Sequence, residues 1–162
     1  MRFYTDEECE GWLALRNRVK PDKVSGIFVE TFPYPPTPGR MLYYADWIAS
    51  NITYRQPTLV WVTEWSIWPS SENWHLYYKF RQSYRDHRLL HEAPGHLFLN
   101  YEREDMTSFL WLAMLNGWGG YILAEADYEN AFFSHDECIQ LFSKNENSLS
   151  EAREALSEKP RA

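Results

Sequence analysis

The run HRLLHEAPGH, residues 87–96, places three histidines and a glutamate within ten positions. His87 and His91, four apart, would share one face of a continuing helix, the geometry by which HExxH supplies two zinc ligands and a carboxylate base. The second histidine of that motif is missing. Here the string reads HExxxH, and Pro94 with Gly95 breaks a helix before His96. His87, His91 and His96 stand as an alternative metal set, against a simpler reading of helix end followed by turn, with no metal and no cofactor.

SHDE at 134–137 contains the residue types of a hydrolytic triad. Neighbouring positions point apart, whereas a triad needs its side chains hydrogen-bonded in series. Ser134 with Glu137 instead fits a capping box that opens a helix. The nucleophile elbow GxSxG, the dinucleotide loop GxGxxG and the phosphate-loop lysine are all absent.

A third constellation is spread along the chain. Glu30, Glu64, Glu102 and Glu125 each stand near the carboxyl end of a predicted strand. If those strands run parallel, the four carboxylates meet at one edge of the sheet, where open α/β folds bind ligands. Trp65, Trp68 and Trp74 lie around the exit of the same central strand and could anchor a partner or flank a sugar. The alternative chemistry is a small hydrolase, with Glu64 and Glu102 as acid and base and His96 or His87 assisting.

Positioning these residues is the task of the surrounding elements. Thr5 and Glu8 form a capping box for a first helix that stops before Pro21. VSGIFVETF reads as a strand, and Met41, Tyr44, Ala45 and Ile48 give one buried face to a helix from about Arg40 to Asn51. PTLVWVTEWSIWP is apolar on both faces, with Leu59, Trp61, Trp65 and Ile67 on one and Val60, Val62, Glu64 and Trp68 on the other. Such a strand belongs at the centre of a sheet. A helix capped by Ser70 or Ser71 follows, then the strand HLFLNYE and a buried helix capped by Asp105 and ended by Gly117. GGYILAEA and AFF suggest a hairpin.

The fold class implied is α/β or α+β, a single mixed sheet of about 4–5 strands covered by about 5 helices. Residues 1–144 form one globular domain, and 145–162 form a polar tail, flexible or marginally helical. A chain of 162 residues can bury roughly 70% of its unfolded surface and needs no staple. Two cysteines without CxxC spacing point to reduced thiols and a cytoplasmic location. No secretory leader is read at the start, and the longest apolar run, FLWLAML, is far short of the roughly 20 residues of a membrane span.

Charge narrows the partners. The net charge is -7, and residues 104–151 hold nine carboxylates against Lys144 alone. That surface argues against nucleic acid, whose phosphates require a basic stripe. It suits a basic protein. The reading is therefore a non-catalytic protein-binding module, immunity- or inhibitor-like, with Glu30, Glu64, Trp65, Trp68, Trp74, Glu102 and Glu125 as its binding residues. A small hydrolase and an aromatic-lined carbohydrate or small-ligand binder are the alternatives.

Overall fold

A computed structural model describes residues 1–52, 56–66, 76–125, 131–135 and 137–157. Among these, seven strands form one sheet: β1 (Arg2–Tyr4), β2 (Phe28–Pro33), β3 (Thr58–Glu64), β4 (Gly95–Phe98), β5 (Gly119–Ala124), β6 (Ala131–His135) and β7 (Cys138–Ser143). Their order across the sheet is β1-β4-β3-β5-β6-β7-β2. Five α-helices accompany them: α1 (Asp6–Ala14), α2 (Pro38–Ile52), α3 (Leu76–Ser83), α4 (Arg103–Leu115) and α5 (Glu146–Leu156).

The α+β class, with one sheet and five helices, is as the sequence implies. The sheet is wider than the expected four to five strands, and every pairing among the described residues is antiparallel rather than mixed. Strand direction is set by the connections, which apolar patterning alone does not encode.

The helices divide unequally between the two faces. Tyr44, Ala45 and Ile48 of α2, Tyr77 of α3, Met106, Phe109 and Leu110 of α4 and Leu149 of α5 pack with Val60, Val62, Ile122 and Phe132. On the other face, among the described helices, α1 covers Leu59, Trp61, Leu97 and Leu123 with Cys9, Trp12 and Leu13. The alternation of β3, Leu59 and Trp61 one way and Val60 and Val62 the other, is the one read from the sequence. It feeds both cores because β3 lies between β4 and β5.

Local chemistry explains several boundaries. Thr5 and Glu8 make both halves of the capping box at the start of α1. Gly117, with φ of +64°, turns the chain out of α4 into β5. The expected cap at Asp105 is displaced: the helix starts at Arg103 with Glu102 at the cap position, and no side chain closes it.

A further expectation changes. SHDEC does not open a helix; Ser134 and His135 lie on β6, His135 pairs with Cys138 of β7, and Glu137 has φ of +57°. Ser134 instead accepts or donates to the Tyr34 hydroxyl and donates to the Trp118 carbonyl at 3.2 Å. Of the two forms expected for the polar segment, flexible or marginally helical, residues 146–156 take the helical one. Leu149, Ala152 and Leu156 of α5 lie in the main core, and Leu156 accepts a hydrogen bond from the buried Tyr44 hydroxyl. Their spacing of three and four residues puts them on one helical stripe that a polar average composition conceals.

Candidate functional site

Register decides where the glutamates go. Thr58, at the start of β3, pairs with Phe98 of β4 and Ala124 of β5, so Glu102 and Glu125 follow at that end of the sheet. Glu125 donates its backbone N–H to Pro57 there at 2.8 Å. Glu64 closes β3 at the opposite end, and Glu30 lies on β2 at the far edge. Antiparallel pairing thus splits the four carboxylates, leaving Glu102 and Glu125 at one end of the sheet and Glu64 at the other. Glu64 and Glu102 do not form an acid–base pair.

Each of three has its own cation. Glu30 receives two hydrogen bonds from Arg153 of α5, at 2.7 and 3.2 Å. Glu102 is joined to the Met1 amino group, and Glu125 to Arg16. Glu64 lies against Gly119, where a Cβ would fall 2.8 Å from its Oε2.

The tryptophans do not form a rim beside them. A bulge between Val62 and Glu64 inserts one residue into β3 opposite β5. One extra residue reverses the facing of everything after it. Trp65 consequently leaves the Leu59 and Trp61 face and packs in the main core, 4.7 Å from Trp118 between ring centres. Trp68 and Trp74 lie outside the described residues, as do Ile67 and the expected caps Ser70 and Ser71.

The three histidines do not converge. Helix α3 ends at Ser83, so His87 and His91 share no helical face, and both are exposed. His96 on β4 is fully buried, stacked on Phe109 at 4.3 Å and flanked by Phe3 and Tyr77. Burial, reinforced by the nearby Arg81 charge, pushes its imidazole down to about 3; the backbone at Pro94 and Val60 pulls the other way without giving either ring nitrogen hydrogen-bond geometry. It is a neutral core ring at neutral pH, not an available base. No group of three or more His, Cys, Asp or Glu among the described residues is placed to hold a metal ion.

The structure does build one ionic network that the motif reading missed. Arg81, buried on α3, donates to Asp86 at 3.4 Å, and Asp86 also accepts from the side chain and backbone of Arg88. Arg88 reaches on to the Phe3 carbonyl at 3.0 Å, tying the loop to β1. Burial alone would raise the Asp86 carboxyl, but the Arg88 hydrogen bonds and the two guanidinium charges hold it below its ordinary value. Burial lowers Arg81. The network borders a shallow, open depression of about 610 Å³ lined by Arg85, Asp86, His87, Arg88 and Glu92. Alternating charge in YRDHR is its only sequence signal. Within the network Asp86 is held by both arginines.

Helix α1 carries a dense run of exposed carboxylates. Asp6, Glu7, Glu8 and Glu10 are exposed on the helix that, among the described ones, covers this side of the sheet. Asp6 accepts from the Trp61 indole at 2.7 Å, and Lys20 stands 3.3 Å from Glu10 while lying over the Trp61 ring. The acidic field is felt inside. Burial pushes the Cys9 thiol up to about 12, with Asp6, Glu8 and Glu10 adding to the rise and Lys20 opposing it. Leu15, 84% exposed, follows at the carboxyl end of the helix.

No protein-family model matches the chain, and no curated protein or solved structure matches it either. No described helix is long and apolar enough to cross a membrane.

Proposed function

We propose that the chain is a non-catalytic binding module that meets a basic protein through the outer face of α1, in the manner of an inhibitor or immunity protein. The observation that carries this reading is the placement of Asp6, Glu7, Glu8 and Glu10 on the solvent side of a helix whose other side seals a core. Four carboxylates within five positions attract a cationic surface and speed encounter with it. Leu15, beside them, offers apolar contact that charge alone does not supply. The site differs from the strand-end glutamates, because those are distributed over both ends of the sheet, whereas the four on α1 lie within one short segment.

The test is capture of partners at low and high salt by the wild-type chain and by a Glu7→Lys, Glu10→Lys variant. The reading expects a basic protein retained at low salt, released at high salt and lost with the variant. Equal capture by the variant removes α1 as the binding face.

A further inference from the structure

Trp61 and Tyr121 stand opposite each other in the β3–β5 ladder, on the face that α1 covers. Their ring centres lie 6.4 Å apart with the planes tilted by 51°. Lys20, in the segment between α1 and β2, lies over both: its ammonium is 3.9 Å from the centre of the Trp61 ring and 5.4 Å from that of Tyr121. Contact between an ammonium and aromatic faces is the means by which aromatic cages recognise alkylammonium ligands.

Carboxylates complete the clasp. Glu10 stands 3.3 Å from the Lys20 ammonium, and Asp6 accepts the Trp61 indole N–H at 2.7 Å, which fixes that ring. Burial raises the Tyr121 hydroxyl above its ordinary value, and Asp22, Glu64 and Glu10 raise it further. Four acidic side chains therefore act on these two rings, more negative charge than one ammonium neutralises. Lys20 is also loosely held. Its ion pair is with Glu10, whose side chain is 61% exposed, and a pair so open to water contributes little. Arg16 and Arg18 fasten the segment to the end of β5 through Glu125 and the Ala124 carbonyl, anchors that do not depend on the Lys20 side chain. That side chain is a flexible stem ending in a strongly hydrated point charge.

We infer that the clasp of Trp61, Tyr121 and Glu10 is a receptor for a lysine side chain of a second molecule, filled in the free protein by Lys20 as an internal stand-in. For the source of that lysine the inference rests on the basic partner proposed for α1. Glu10 belongs both to the clasp and to the acidic face of the helix, so a lysine steered to that face arrives beside the two rings. Exchange of one ammonium for another leaves the charge balance of the clasp unchanged.

The test is heteronuclear NMR on the full chain with N-acetyl-lysine methylamide as probe. In Lys20→Ala, with its far-ultraviolet circular dichroism unchanged, the probe should shift the Trp61 indole N–H and the Tyr121 ring signals saturably. If Lys20 closes the clasp nine times in ten, the wild type should bind the same probe about tenfold more weakly. The norleucine analogue, which lacks the ammonium, should shift neither signal. Absence of a saturable shift in Lys20→Ala overturns the inference, and so does equal affinity in wild type and variant or an equal response to the norleucine analogue. Should Lys20→Ala fail to fold, the wild type decides: the Lys20 side-chain methylene protons should lie upfield, under the ring currents, and move back as probe is added. Methylene signals that ignore the probe overturn the assignment. Glu7 is no part of the clasp, so Glu7→Lys separates the two readings. It should weaken capture of the basic protein and leave probe affinity unchanged; unaltered capture counts against the α1 face alone, and a clasp that ignores the probe counts against the receptor alone.

Discussion

A Cβ placed on Gly95 would stand 2.3 Å from the Sγ of Cys9 and 2.9 Å from the Cβ of Tyr4. The seating of α1 on the sheet therefore depends on the absence of a side chain at the first position of β4. Gly95→Ala must push the helix outward, and overpacking of this kind costs about 1–3 kcal/mol. Part of that loss should return in Gly95→Ala, Cys9→Ala, because the sulfur is the nearest obstacle. Urea unfolding of both single variants and the double variant measures the coupling; strict additivity would deny the contact.

Asp86 is the shared counter-charge of a buried guanidinium. Asp86→Asn leaves Arg81 without an ionic partner in an apolar setting, a change worth about 3–5 kcal/mol. Replacing Arg81 as well, in Asp86→Asn, Arg81→Met, should recover much of the stability, since the uncompensated charge is gone. Thermal melts of the three variants check the order.

His96 makes stability depend on pH. Its folded value of about 3 lies below the ordinary range near 6.5, so between those limits the unfolded chain binds the extra proton. Stability is whole above the unfolded value and falls as pH drops below it. Between pH 6.5 and 5 the loss from this residue should be about 2 kcal/mol. His96→Phe should flatten denaturation curves across that window; an unchanged slope would show that the ring is not the titrating group.

The two thiols should react unequally. Cys9 is fully buried and its thiol is raised to about 12, whereas Cys138 is partly exposed beside the β6–β7 turn. Thiolate is the reacting form. Iodoacetamide at neutral pH should add once to the native protein, at Cys138, and twice in denaturant, as read by mass spectrometry.

Leu149→Ala tests whether α5 belongs to the core. A buried leucine truncated to alanine costs about 2–5 kcal/mol, while a frayed terminal helix would lose almost nothing. The midpoint of urea unfolding distinguishes the two.

The sequence carried periodicity well and direction poorly. Both apolar faces of β3, the Thr5 capping box and the Gly117 turn were readable because each depends on neighbouring residues alone. Facing after Val62 was not, since a single inserted residue in the ladder turned Trp65 from one core into the other. The glutamates depended on whether strands run parallel or antiparallel, which is settled by contacts distant in sequence. SHDE was misassigned for a related reason: the spacing of a capping box also fits a hairpin whose loop holds Glu137 at positive φ. Polar composition hid α5, whose three core residues are few but correctly spaced.

The pairing of β2 with β7 has a consequence for folding. Phe28 and Ser143 stand opposite each other in the ladder although 115 positions separate them along the chain. Closing so long a loop slows folding, and until it closes the Phe28–Pro33 strand lacks its β7 neighbour.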